Sequence, residues 1–253
     1  MTLDFRFNTL GSMLADQRGS PASEVYSDSV SPHIESLYRD ADGTHCSSFP
    51  SILLRLIHAG TELSQQDHSV PVEVRQNKLF VLICAAKAFD ATAWAGKIQP
   101  LSPIADFEQR TMVARAHKAA VTIYLSRLLV SLYPTTKPSC DFEALVTEAL
   151  DNISGIDISS PLFTATTWPT FIAGAETNLA EKQLWIATRF RERWEAEPWG
   201  LLEGALETLK TMWTLKRGRA EDKGMILSSE HDIGTDGDWV QYLRKTGVNW
   251  LIL

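Results

Sequence analysis

From Pro50 onward, apolar residues recur with a helical period, and no useful stretch alternates with the period of two expected of a half-buried strand. Ser51-Ile52-Leu53-Leu54-Arg55-Leu56-Ile57 opens one amphipathic helix. The run from Val72 to about Lys97 predicts a longer one, ended by Gly96 and Pro100. Asp106 to about Leu132 predicts a third, closed by Pro134 and Pro138. Asp141 is placed to cap the next, with Phe142, Leu145, Val146 and Leu150 on one face. Further helices are expected from Pro169 to about Thr177, Leu179 to about Glu195, Trp199 to about Leu215, and Trp239 to Lys245. Residues 1 to about 48 are rich in Ser, Asp, Gly and Pro and read as irregular, with a short helix around Pro32 to Tyr38. A Gly/Asp/Ser-rich loop spans about Gly218 to Gly237, and an apolar tail runs from Val248 to Leu253. The pattern predicts an all-α protein: an irregular segment over 1–48, then a single domain of eight or more helices over 49–253, without internal repeats.

Within that pattern, Thr167-Trp168-Pro169-Thr170-Phe171-Ile172-Ala173-Gly174-Ala175-Glu176 is the densest local signal. Proline suits a first helical position, where its missing N–H has no partner to lose and its fixed φ already fits a helix. Gly174 inside this helix costs about 1 kcal/mol relative to alanine, which points to a close approach by another backbone or a ligand.

Composition narrows the function classes. With 44% apolar residues, 253 residues can bury a substantial core. The 24 basic and 31 acidic residues give a net charge of −7, which argues against a chain that reads DNA by neutralising phosphates. The one dense basic run, Lys216-Arg217-Gly218-Arg219, is followed by Glu221-Asp222 and reads as a solvated helix end. Cys46, Cys84 and Cys140 form no CxxC pair and no complete disulfide framework, and Cys84 sits in an apolar run that reads as core. The first residues lack a signal-peptide pattern, and no apolar segment approaches the roughly 18 residues of a membrane span. An intracellular protein, cytoplasmic or nuclear and without a membrane partner, is expected.

Motifs for nucleotide cofactors and catalytic metals are missing: no GxGxxG after a strand, no P-loop, no HExxH and no GxSxG. Neither cofactor nor metal is therefore expected. Asp232 to Asp238 partly matches a calcium loop, but Gly234 and Leu243 occupy ligand positions, so an acidic loop is the better reading.

Three groups of side chains carry candidate chemistry. Lys87, Asp90 and Trp94 share one face if the second helix is continuous, either binding a polar group in an apolar setting or forming an ion pair at the core edge. His117, Tyr124 and Arg127 line one face of the third helix. A histidine can move a proton near neutral pH, and the other two can orient an oxygenated ligand, or all three can simply pack at the core margin. Glu176 is either an acid with a raised pKa in an apolar setting or a structural hydrogen bond to a neighbouring helix. Eight tryptophans, Trp168 among them, can line an apolar pocket or fill the core.

The stretch from Trp168 to Glu176 resembles the "W-P-x-F-x-A-G-x-E" core of the fungal-specific transcription factor domain, the all-helical regulatory part of fungal zinc-cluster activators. His117 to Leu125 is similar to the family's "aa-x-I/L-Y-L" helix. Trp185, Trp194, Trp213 and Asp238-Trp239 follow its aromatic order, and Gly247 to Leu253 resembles its closing segment, so the resemblance covers about residues 50–253. It implies a helical regulatory domain, yet three cysteines do not supply the six thiolates of a binuclear zinc cluster. No direct nucleic-acid binding by this chain is expected.

Three readings follow. The preferred one is a stand-alone protein co-opted as a cofactor-free cyclase or isomerase of secondary metabolism, acting on an apolar polyketide or terpenoid. There Asp90, Tyr124 and Glu176 would be catalytic, with Lys87, Trp94, His117, Arg127 and Trp168 holding the substrate. The alternative is a transcriptional regulator whose zinc-cluster module is lacking or separate. The third is a ligand-binding or scaffold protein. The expected partner is a small apolar or aromatic metabolite, with a homodimer open.

Overall fold

The computed structural model describes residues 48–65, 71–99, 106–138, 140–225 and 238–246, with side chains of 219–225 and 244–246 excepted. The described residues hold nine α-helices and one 3₁₀ turn, without strands: α1 Ser51–Gln65, α2 Val72–Ala88, α3 Ala91–Ile98, α4 Phe107–Leu132, α5 Phe142–Ser154, the 3₁₀ turn Thr164–Thr166, α6 Thr167–Glu176, α7 Ala180–Ala196, α8 Gly200–Met225 and α9 Trp239–Thr246. The all-α expectation holds. The loop expected from about Gly218 is helical as far as Met225; its remainder at 226–237, the expected helix at 32–38, the apolar tail and Cys46 lie outside the described residues.

Two helices form the centre because their sequences leave them no polar face. On α4, every residue from Ala116 to Ser126 except Lys118 is buried, and on α6 every residue from Trp168 to Glu176 is. A helix that is apolar on all sides must be surrounded. Accordingly α4 packs against α1, α2, α3, α5 and α6, while α6 is flanked by α5, α7 and α8. Where α1 meets α4 the helices come so close that a Cβ on Gly60 would stand 2.5 Å from Leu125 Cδ2. A smaller cluster of Val113, Ile156, Leu162, Phe163 and Ala165 closes the end near the 3₁₀ turn.

The continuous helix expected from Val72 to Lys97 is instead two helices bent by 64°. Phe89 and Asp90 adopt extended backbone, with ψ of 127° and 98°. Asp90 then caps α3, its carboxylate accepting from the Ala93 N–H at 2.9 Å. Lys118 of α4 donates to the freed Phe89 carbonyl at 2.9 Å, and the Phe89 ring is buried, so the break is fixed from inside. Cys84 faces outward on α2 rather than joining the core. Among the described residues no single helix is long and apolar enough to cross a membrane.

Capping follows the sequence elsewhere. Asp141 accepts from the Glu143 and Ala144 N–H groups at the start of α5. Asp106, before α4, is drawn away from capping by a buried ion pair with Arg110 at 2.7 Å. Arg110 also donates to Ser48 Oγ at 2.6 Å, holding Ser48 in the left-handed region at φ 34°.

Candidate functional site

Five of the functional candidates, His117, Tyr124, Arg127, Trp168 and Glu176, gather toward the two ends of α6. At its last turn the helix leaves carbonyls without intrahelical partners. Side chains of α8 supply them. Trp213 Nε1 donates to Gly174 O at 2.8 Å, and Lys216 Nζ donates to Ala175 O at 2.8 Å and Glu176 O at 3.2 Å. Trp213 and Lys216 stand three residues apart on α8 and so share a face. The ammonium also complements the negative end of the helix dipole. Burial, partly offset by Glu176 and reinforced by Arg127, pushes the Lys216 pKa down to about 8. The residue read from sequence as part of a solvated basic run is therefore a helix anchor.

Glu176 is 5% exposed, and its carboxylate is gripped on both oxygens. Arg127 of α4 reaches it with a two-pronged hydrogen bond, Nε to Oε2 at 2.7 Å and Nη2 to Oε1, while Trp239 Nε1 of α9 donates to Oε2 at 3.0 Å. The Arg127 guanidinium lies 4.1 Å over the Phe142 ring. Burial works against its charge, but the hydrogen bond and the negative charge of Glu176 outweigh that and hold it more firmly protonated than usual. The arrangement joins three helices, α4, α6 and α9, through one carboxylate. It corresponds to the structural alternative for Glu176, a hydrogen-bonded tie from the motif helix to its neighbours.

Gly174 is explained by the same crowding. A Cβ there would lie 3.0 Å from Leu209 Cδ1 and 3.2 Å from Ile186 Cγ2, so the close approach comes from side chains of α8 and α7. Pro169 is the third residue of α6, not the first. It still falls in the turn whose N–H groups lack α-helical partners.

The first turn of α6 is held differently. Trp168 lies 6.1 Å from the His117 ring at an interplanar angle of 7°, and Phe49 is tilted against both at 5.3 and 4.1 Å. His117 is fully enclosed, and its Nδ1 bonds Val113 O at 2.8 Å. A carbonyl only accepts, so Nδ1 carries the proton. Burial dominates that bond and lowers the pKa to about 4, leaving a neutral ring at physiological pH.

The structure thus separates the predicted site residues. Tyr124, Arg127 and Glu176 meet around Trp239, whose ring is 6.5 Å from that of Tyr124. The Tyr124 hydroxyl bonds Thr61 Oγ1 at 3.1 Å. His117 and Trp168 meet at the other end of α6. Lys87 and Asp90 are exposed at the α2–α3 break, so they share no helix face with Trp94, which is buried. Asp90, Tyr124 and Glu176 form no catalytic constellation: one caps a helix, and the others bond neighbouring side chains. Trp94 and Trp168, expected to hold the substrate, are core residues, as are Trp213 and Trp239. A hollow between the start of α6 and α7, bounded by Thr166, Thr170, Arg189 and Arg193, measures about 10 Å³. That is room for roughly one water molecule, against the ~300–1,000 Å³ of a ligand pocket. Among the described residues no group of three metal-ligating side chains occurs.

Sequence reasoning missed Lys216, Trp213 as a donor, and the Arg110–Asp106 pair. The four-residue spacing of Asp106 and Arg110 on one helix was a usable signal.

Residues 44–252 match the model of the fungal specific transcription factor domain, and the chain belongs to that family. Among curated proteins, it is 28% identical over 222 residues to the acriflavine sensitivity control protein acr-2 of Neurospora crassa, a match covering 85% of this chain and 35% of that protein. The chain thus spans about a third of the length of the relative it matches. No solved structure matches. Family membership overturns the expectation of a stand-alone cyclase or isomerase; the regulator reading fits the relatives, and nothing in them points to cyclisation.

Proposed function

We propose that this chain is the regulatory part of a transcriptional regulator. It acts in the nucleus on promoters read by a zinc-cluster module, in the same polypeptide or in a partner. Family membership across residues 44–252 carries this reading. The acidic balance and the three cysteines support the division of labour, since these 253 residues hold neither a six-thiolate metal site nor a net positive charge for phosphates. By likeness to a protein that controls acriflavine sensitivity, the regulated genes belong to the response to toxic small molecules.

The test is deletion of the gene, with transcript and metabolite profiling, alongside crosslinking of the full chain to chromatin. Loss of a coherent transcript set, with the protein found at those promoters, is the expected result. Unchanged transcripts together with build-up of one metabolic precursor would defeat the proposal.

A further inference from the structure

The hollow between the start of α6 and α7 is lined by an unusual set of polar atoms. Arg189 and Arg193 lie one turn apart on α7, on the same face, and both line it. Three of their four terminal nitrogens are committed. Arg189 Nη2 donates to Ile153 O at 3.1 Å and Ile156 O at 2.5 Å, and Nη1 reaches Glu192 at 3.3 Å. Arg193 Nη2 donates to Glu197 at 2.7 Å. Yet the Nε–H of each arginine is buried without a hydrogen-bond acceptor, and the two side chains are only 10% and 6% exposed. Buried unpaired donors are costly, more so on a charged group.

Opposite them stand Thr166, Thr167 and Thr170, with Phe163 and Phe190 as apolar walls. Each threonine hydroxyl donates to a backbone carbonyl three or four residues earlier, Phe163 O, Thr164 O and Thr166 O. Rotation of the hydroxyl redirects that hydrogen toward the hollow. The Arg189 guanidinium is locked 4.3 Å over the Phe163 ring and cannot turn away without losing that contact. The carboxylates of Glu192 and Glu197 are 34% and 46% exposed. Both arginines thus bring positive charge to the wall of the hollow, and the space admits one heavy atom with the remainder of a ligand toward solvent.

We propose that this hollow is a subsite for an oxyanion: a carboxylate or phosphate group seating one oxygen between the Nε–H groups of Arg189 and Arg193. Two charge-assisted hydrogen bonds from guanidinium edges suit such an oxygen. The subsite stands independently of the regulatory reading, since binding is measured on the protein itself.

The test is titration of the full ¹⁵N-labelled chain with inorganic phosphate and, separately, acetate at constant ionic strength, following the arginine Nε–H resonances. Saturable shifts of Arg189 and Arg193 together are expected, weakened about tenfold or more in Arg193→Lys, which keeps the charge and loses the Nε–H. Response to phosphate alone or to acetate as well tells which group the site takes. Should Arg193→Lys unfold, Thr167→Val at the half-buried rim is the second variant, expected to weaken binding several-fold. Absence of saturable shifts, with cross-peaks from both Nε–H groups to water, would make this a water site and overturn the proposal. Equal affinity in the folded variants would do the same.

Discussion

At its first turn α6 is gripped by rings, Trp168 stacked on a neutral His117 with Phe49 wedged beside them. At its last turn the same helix is gripped by charge, with Glu176 in the fork of Arg127 and Lys216 on the terminal carbonyls. Both ends are buried, but they fail under different stresses. The ring end depends on a group staying uncharged, whereas the charged end depends on every partner being present. One short helix therefore carries two independent locks, which can be broken separately.

The charged lock is the larger. Glu176→Ala leaves Arg127 and Trp239 Nε1 without their acceptor, and should cost about 3 kcal/mol, the low end for a broken buried pair because Arg127 keeps some exposure. Urea unfolding would show it, and a loss below about 1 kcal/mol would mean the node is incidental.

The ring lock should be acid-sensitive. The His117 pKa falls from 6.5 to about 4 on folding, so between those values the unfolded chain binds a proton that the folded chain refuses. Stability is then lost as pH drops from about 6.5 toward 4, by up to roughly 3 kcal/mol. In His117→Phe that slope should flatten; an unchanged slope would assign the acid sensitivity elsewhere.

Gly174 sits between the locks. Gly174→Ala gains helix propensity but pushes Leu209 and Ile186 by a few tenths of an ångström, for a net loss of about 1 kcal/mol. Because flexible side-chain ends are what it meets, an outcome near zero would show that α8 yields freely. Asp90→Ala touches neither lock and removes only the α3 cap. About 1 kcal/mol and faster exchange of the Ala93 amide are expected, with the pH slope untouched.

Much of the helical plan was legible because it rests on local signals. Asp141 capped where expected, and the bounds of α4 and α6 fell within a few residues of the pattern. The α2–α3 break was hidden because apolar residues run through it without proline or glycine. The available clue was Asp90 itself, a capping residue inside a predicted helix. The candidate site was only partly legible. Tyr124, Arg127 and Glu176 do converge, since the first two share a face of α4. Lys216 and Trp213 escaped notice because their partners are backbone carbonyls forty residues away, and no sequence pattern marks a carbonyl as needy.

The elbow at Phe89–Asp90 has a consequence beyond geometry. Drawn out straight, Val72 to Ile98 would make a rod roughly 40 Å long, which by length and composition alone could pass for a membrane span. The bend at Phe89–Asp90, held by Lys118 and the buried Phe89 ring and capped by Asp90, divides that rod into pieces of 17 and 8 residues. Neither piece alone is long and apolar enough to cross a membrane.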